Sequence, residues 1–466
     1  MSVELRPYQV DLTDQTRALM QSGVMSILLQ SPTGSGKTLL TAWMLKTAAG
    51  KRMTSWFVVH RRELVKQSIR AFDEVGVRHG VCAAGFVEHK RALIQLGSIQ
   101  TLARRYKNYH PPSLIVWDEA HHVAAKSWRS IYEQFPNAFH VGLTATPERL
   151  DGKGLGKWFQ RMINGPSVEW LIENKFLSPY RLYVPSTIST AGLPTRMGDY
   201  AVAALERTSD TPTITGDAIG EYKKRAAGKR AVAFCVSIQH SKHVVDMFNA
   251  AGIRAAHIDG DTDANERDRL LSLFAEQRLD LVSNVDLFGE GYDLPSLEVA
   301  ILLRPTQSLG LYLQQVGRAL RPNAGKAQAV ILDHAGNSQR FGLPDDPRDW
   351  TLEDRATGLS GRPEAGIAFK VCRACLAAQR PSRGVCVYCG AAFEATPRVV
   401  EEVAGDLVEV DTEALKVARR HEQGSTQGYE ALVELGRARG YKFPERWAHH
   451  VLKARQQRRM ARGRLS

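Results

Sequence analysis

Eight consecutive residues, Ser31-Pro32-Thr33-Gly34-Ser35-Gly36-Lys37-Thr38, combine glycine, lysine and threonine in an order suited to gripping phosphate. Gly34 and Gly36 let the backbone fold so that N–H groups converge, and Ser35 adds one between them. A helix starting at the turn contributes its own free N–H groups and the positive end of its dipole. Lys37 can then reach the outer phosphates, and Thr38 can offer its hydroxyl to Mg2+. Ser31 stands where the general pattern has glycine. The flanks supply the frame this chemistry needs. Ile27-Leu28-Leu29 predicts a buried strand before the turn, and Leu39 to Ala49 predicts a helix that stops at Gly50.

A second group of residues could act on what the first group holds. Asp118-Glu119-Ala120-His121 ends an apolar run, Leu114-Ile115-Val116-Trp117. A carboxylate at a strand end, Asp118, can hold the Mg2+ that bridges two phosphates. The next one, Glu119, can orient and deprotonate a water. His121 lies too far along to hold the metal and is placed to relay contacts.

Four of the six cysteines fall between 372 and 389, as Cys372-Arg373-Ala374-Cys375 and Cys386-Val387-Tyr388-Cys389. Two such knuckles can present four thiolates to one Zn2+, with no open position for catalysis. The ten-residue spacer suits a short zinc ribbon. A redox pair would come once and in a thioredoxin-like setting. Cys82 and Cys235 stand in apolar surroundings and read as core.

The elements that must position these groups alternate. Ile27 to Gln30, Trp56 to His60, Leu114 to Asp118 and Val141 to Ala145 read as strands with helical runs between them. A second such pattern begins near Tyr180, with strands at Ala231 to Val236, Arg254 to Ile258, Leu281 to Asn284, Val299 to Leu303 and Ala329 to Leu332. Alternation of this kind implies parallel sheets covered on both faces, which bind ligands at the strands' C-terminal ends. Only the first half has a phosphate loop, so a nucleotide is expected between the two. From about 340 the chain turns rich in Pro, Asp and Gly and reads as linker.

At 466 residues the chain has room for two large domains and smaller pieces. Its net charge of +13 favours a polyanionic partner, nucleic acid first. Neither a secretory pattern nor a run of about 18 apolar residues is present, so no membrane association is expected. The expected location is the cytoplasm. The last 26 residues hold eight Lys and Arg against one Glu, either a solvated tail or a phosphate-backbone contact.

In order and type, residues 6 to about 335 resemble a superfamily 2 helicase or translocase of the DEAH-box type. Arg6-Pro7-Tyr8-Gln9 resembles the Q motif, which implies that Gln9 reads adenine. His60-Arg61-Arg62-Glu63-Leu64 resembles motif Ia and Gly97-Ser98-Ile99-Gln100-Thr101-Leu102 motif Ib, which implies strand contacts by Arg61, Arg62, Gln100 and Thr101. Leu143-Thr144-Ala145-Thr146-Pro147 resembles motif III, coupling hydrolysis to strand movement through Thr144 and Thr146 beside His121. Gly289-Glu290-Gly291-Tyr292-Asp293 resembles motif V, with Asp293 at the ribose. Gln314-Gln315-Val316-Gly317-Arg318-Ala319-Leu320-Arg321-Pro322 resembles motif VI. Arg318 and Arg321 lie three apart on one helical face and would act with Gln314 on the γ-phosphate across a cleft. Gly165-Pro166-Ser167-Val168, Leu177-Ser178-Pro179-Tyr180 and the stretch Arg439 to Ala448 resemble compact DEAH-type DNA helicases common in phages and prophages.

The resemblance implies two RecA-like α/β domains, residues 1–170 and 171–345, then a linker (346–369), a zinc ribbon (370–395) and a helical basic region (396–466). The implied cofactors are ATP, Mg2+ and Zn2+, and the implied partner is nucleic acid, DNA ahead of RNA. The implied activity is ATP-driven movement along, or unwinding of, DNA, including branched recombination or replication intermediates. An ATP-gated remodeller that displaces proteins without separating strands, or an RNA helicase, would use the same motifs.

Overall fold

The computed structural model describes residues 4–149, 152–184, 195–196, 199–200, 212–285, 297–354, 369–372, 374–380, 384–393, 421–423, 425–439, 444–445, 447–449, 451–452 and 455. The segment resembling motif V, with Asp293, lies outside them, as does most of the basic tail.

Seven parallel strands form the first sheet: β1 (Ser26–Gln30), β2 (Ser55–Val59), β3 (Gly80–Cys82), β4 (Ile94–Ser98), β5 (Leu114–Trp117), β6 (Phe139–Thr144) and β7 (Arg161–Asn164). Their order is β3-β4-β2-β5-β6-β1-β7. Every residue of β1, β2, β4 and β5 is buried, as expected for a sheet covered on both faces. The strand β1 sits inside the sheet, between β6 and β7, with its C-terminal end flanked by theirs. Helices cover both faces. The one over Arg62–Val75 ends at Gly76, whose φ of 71° allows the left-handed stop.

The second sheet contains β8 (Tyr180–Tyr183), β11 (Ala231–Phe234), β12 (Ala255–Ile258), β13 (Leu281–Asn284), β14 (Val299–Leu302) and β15 (Ala329–Asp333), all parallel, while β9 (Thr195–Arg196) and β10 (Asp199–Tyr200) pair separately. Helix N-termini here carry side-chain caps that satisfy their free N–H groups: Ser237 accepts from His240 N, Asp263 from Asn265 N and Glu266 N, and Ser308 from Leu311 N. One buried apolar cluster runs from Leu29 in β1 and Leu143 in β6 through Leu177 to Leu182, Val232 and Tyr312, so the two sheets share packing.

Two stretches differ from expectation. The stretch expected as linker, 346–369, begins packed and not free. Asn337–Phe341 is a short helix, and residues up to Asp354 pack back on the first sheet's side, where Gly156 N donates to Leu352 O (2.8 Å) and Gly154 N to Asp354 Oδ1 (2.8 Å). The cysteine-bearing hairpin, β16 (Lys370–Val371) and β17 (Ala377–Gln379), joins the second sheet: β17 pairs antiparallel with β8, extending the order to β12-β13-β11-β14-β15-β8-β17-β16. Its neighbour Arg380 lies 3.3 Å from Asp345 and also pairs with Glu169.

Residues 396–466 form a separate unit, in which helix Tyr429–Ala438 buries Leu432 and Val433 with Ala448 and Val451. No helix among the described residues is long and apolar enough to cross a membrane.

Candidate functional site

The strand β1 delivers the chain into the turn Ser31–Gly36, and helix Lys37–Gly50 begins as it ends. Gly34 and Gly36 have φ of 88° and 79°, a region in which any side chain would be strained. A Cβ on Gly36 would also lie 2.7 Å from Gln9 Nε2. The loop is held from both sides. Ser31 Oγ donates to Ser35 Oγ (2.7 Å), Tyr8 Oη donates to Ser35 O (2.7 Å), and Lys37 Nζ donates to Ser31 O (2.9 Å) and Pro32 O (3.3 Å). Burial lowers the Lys37 pKa, while Glu119 and Asp118 oppose that effect. Both ends of the Gln9 amide are engaged: Nε2 donates to Ser35 O (3.0 Å), and Oε1 accepts from Arg6 N (2.9 Å). Gln9 thus shapes the loop, and a base that it reads must share or replace these partners.

Asp118 and Glu119 follow β5, which pairs with β2 on one side and β6 on the other. Asp118 N donates to Val58 O (3.0 Å), and Glu119 adopts a left-handed turn (φ 48°) immediately after it. Burial, reinforced by the Glu119 charge, raises the Asp118 pKa to about 6. Two acids crowded at a buried edge beside a lysine are a donor set that fits a divalent cation and a water to be deprotonated. His121 Nδ1 stands 3.5 Å from Glu119 Oε2 and 3.2 Å from Thr144 Oγ1. Thr144 Oγ1 in turn donates to Thr146 O (2.9 Å) and accepts from Thr146 N (3.2 Å). The histidine, the acid and the two threonines therefore form one polar patch.

The second sheet brings helix Leu309–Ala319 against this edge. Gly317 packs on the phosphate loop so closely that a Cβ there would meet Thr33 Cβ at 2.6 Å. A Cβ on Gly310 would meet Thr146 Oγ1 at 2.8 Å. Arg321 Cγ lies 3.4 Å from the position of a Gly34 Cβ, and the charges of Arg321 and Arg318 both act on Lys37. Gln314 and Arg318 are buried in the same helix. The residues resembling motifs I, II, III and VI thus meet at one place.

The candidate strand-contact residues sit apart from it, at the ends of β2 and β4. Gln100 Nε2 donates to His60 O (2.8 Å), Ser98 Oγ donates to Thr101 Oγ1 (2.9 Å), and the Arg62 guanidinium lies over the Phe86 ring, 5.6 Å from its centroid. Arg61 is the residue before helix Arg62–Val75.

Several positioning residues escaped sequence reasoning because they act on backbone carbonyls, which every residue has. Tyr8 is one, though its place beside Gln9 was a signal. Gln30 Nε2 ties β1 to Ala145 O (2.9 Å). Lys326 Nζ donates to Leu297 O (2.8 Å), Arg321 O (2.9 Å) and Ala319 O, pinning the arginine-bearing turn; burial lowers its pKa to about 8.

The four cysteines converge. Cys372 and Cys389 sulfurs are 3.7 Å apart, as are those of Cys375 and Cys386, and all four lie within 4.8 Å of one another. Tetrahedral bonds of about 2.3 Å place sulfurs about 3.8 Å apart, so the set fits Zn2+.

Comparison with known proteins agrees with this geometry. Residues 2–149 match the family "Type III restriction enzyme, res subunit" and residues 214–323 the "Helicase conserved C-terminal domain". The chain is 35% identical over 401 residues to the "51.5 kDa protein" of Lactococcus phage (isolate 7-9), covering 85% of this chain and 86% of that one. It is 28% identical over 363 residues to IRC3 of Saccharomyces cerevisiae, provisionally named an ATP-dependent helicase, covering 72% of this chain and 52% of that one, about half its length. The fold is similar to that of a fragment of a Vibrio vulnificus protein provisionally assigned as the HsdR subunit of a type I restriction enzyme (TM-score 0.57, 25% identity, 73% of this chain and 66% of that chain). The chain belongs to the superfamily 2 helicases of the phage and restriction-enzyme type and is an ATP-hydrolysing helicase or translocase that acts on nucleic acid.

Proposed function

We propose that the chain is a DEAH-box-type DNA translocase or helicase whose two motor domains, residues 1–170 and 171–345, hydrolyse ATP at their shared edge. The observation that carries this reading is the seat of Gly317 and Arg321 on the Thr33–Gly34 turn, since both sheets then bear on one phosphate loop. Lys37 and the N–H groups of Gly34 to Thr38 grip the phosphates, and Thr38 and Asp118 would hold Mg2+. Bound there, Mg2+ neutralises phosphate charge. Glu119 takes the proton of the attacking water, and Arg318 and Arg321, carried by the helix of Gln314 and its end, approach the γ-phosphate from the other domain. Gln9 and Asp293 are assigned to the base and ribose. Arg61, Arg62, Gln100 and Thr101 are assigned to strand phosphates, which give affinity without reading sequence. His121, Thr144 and Thr146 join the two tasks.

Nucleic acid is favoured by the +13 charge, and DNA over RNA by the restriction-enzyme name of the family matched at residues 2–149. Cys372, Cys375, Cys386 and Cys389 are assigned to one structural Zn2+, and the bacterial or phage-infected cytoplasm is the assigned location.

The test is ATP turnover measured in parallel with single-stranded DNA, duplex DNA, branched DNA and RNA. Stimulation by one or more DNA forms above RNA is expected. Stimulation by RNA alone would overturn the DNA assignment, and absence of any stimulation would overturn the motor.

A further inference from the structure

Three imidazoles lie in a row along the C-terminal edge of the first sheet. His60 follows β2, and His121 and His122 follow Asp118-Glu119 at the end of β5. β2 and β5 are neighbours, with Val58 opposite Trp117, so the two turns meet above the sheet. The rings of His60 and His122 have centroids 5.1 Å apart, and those of His122 and His121 are 4.2 Å apart. Behind the row stands buried Trp128, 6.1 Å from His122.

The two ends of the row are different in kind. At one end Gln100 Nε2 holds His60 O, and Arg61 and Arg62 come next in the chain. These are the groups assigned above to a nucleic-acid strand. At the other end His121 approaches Glu119 Oε2 and Thr144 Oγ1. This is the carboxylate assigned to the attacking water. The row connects them without passing through the phosphate loop.

We propose that His60 and His122 are positioning residues that make ATP hydrolysis respond to a bound strand. A strand that engages Arg61, Arg62 and the Gln100 turn shifts the His60 ring. His122 lies between that ring and His121, with Trp128 behind it, so it moves with His60. His121 then carries the Glu119 carboxylate into line with the water. Small movements suffice, because a misplacement of about 1 Å in a reacting group costs about 10²-fold in rate. Packed rings have few alternative arrangements, which suits a two-position device. The inference rests on the reading of the chain as a nucleic-acid-stimulated ATPase.

The experiment compares wild type, His122→Ala, His122→Phe, His60→Ala and the double variant His60→Ala/His122→Ala. Basal ATP turnover, turnover saturated with single-stranded oligo-dT or with duplex DNA, and oligonucleotide affinity by fluorescence anisotropy are measured for each. The expected result for His122→Ala is basal turnover and DNA affinity within about two-fold of wild type, with stimulated turnover reduced about tenfold or more toward basal. His122→Phe keeps a ring in the row and should recover most of the stimulation, which also shows that the site still folds. Because the two residues act in one series, the double variant should lose no more stimulation than either single one. Retained stimulation in His122→Ala, an equal loss of basal and stimulated turnover, no recovery with Phe, or additive losses in the double variant would each overturn the proposal. A wild-type protein that no nucleic acid stimulates would instead overturn the motor assignment beneath it.

Discussion

Lys37 does two jobs that a single substitution separates from folding. Its ammonium group reaches the carbonyls of Ser31 and Pro32, so it closes the loop on itself, and the proposed function assigns it to phosphate as well. It packs no core, and the strand and helix on either side keep their own contacts. Lys37→Ala should therefore leave the melting temperature within a few degrees of wild type and reduce ATP turnover by about 10²-fold or more, since a transition-state charge partner is lost. Near-wild-type turnover in the folded variant would remove the phosphate assignment. This loop was legible in the sequence because its parts are contiguous and glycine, lysine and threonine fall in the order that phosphate binding requires. Tyr8, Gln30 and Lys326 were not, because they bind backbone carbonyls, which every residue has, and nothing in the sequence marks which carbonyls those are.

At the scale of single elements, β6 carries a buried titratable group with no part in the chemistry. His140 Nδ1 accepts from Trp117 Nε1 (3.1 Å), Nε2 donates to Phe135 O (3.0 Å), and the ring stacks on Tyr132 at 4.0 Å. Burial lowers its pKa from 6.5 to about 4, so the folded chain keeps it neutral. Well above pH 6.5 neither state is protonated and the site is indifferent to pH. As the pH falls toward 4, the unfolded chain binds a proton that the folded one excludes, and stability drops by about 3 kcal/mol. Denaturant midpoints between pH 4 and 7 should show this slope, and His140→Gln should flatten it; an unchanged slope would place the proton elsewhere. The cysteine hairpin is a second case. Ala377-Ala378-Gln379 has little strand propensity and was not legible as a strand; it becomes one by pairing with β8, in the register Ala377 to Tyr183 and Ala378 to Leu182. With the four cysteines holding Zn2+ as proposed, chelation should therefore do more than loosen an appendage. It should uncover the edge of β8 and lower the melting temperature of the motor core, and an unchanged core transition on metal removal would mean the hairpin holds without it. Strands β3 and β4 were missed for a related reason: one has three residues, and the other contains Gly97 in place of a packing side chain.

For the whole molecule, the order of motifs made two parallel sheets legible but not how closely they meet. Gly317 could have been a mere spacer before Arg318. In the structure it is the point where the second sheet's helix touches the phosphate loop, with room for no more than a hydrogen. A methyl group there would sit 2.6 Å from Thr33 Cβ and 3.0 Å from Thr33 Cγ2, so the helix and the loop must part. Arg318 and Arg321 ride on that helix and its end, and they retreat with it. Gly317→Ala therefore removes no chemical group, yet it should reduce turnover about tenfold or more, because an arginine that acts across a cleft is worth about 10³ to 10⁵ in rate and depends on its reach. The interior of each domain is untouched, so the melting temperature should hold. Arg321→Ala gives the complementary case, in which the sheets can still meet but the guanidinium is gone, and Lys should restore little of a planar fork. The decisive arm is Thr33→Gly combined with Gly317→Ala. It moves the gap to the other side of the contact, so turnover should recover relative to Gly317→Ala alone, a coupling that two independent injuries would not show. If Gly317→Ala turns over ATP at the wild-type rate, the working enzyme does not bring its two sheets together along this contact.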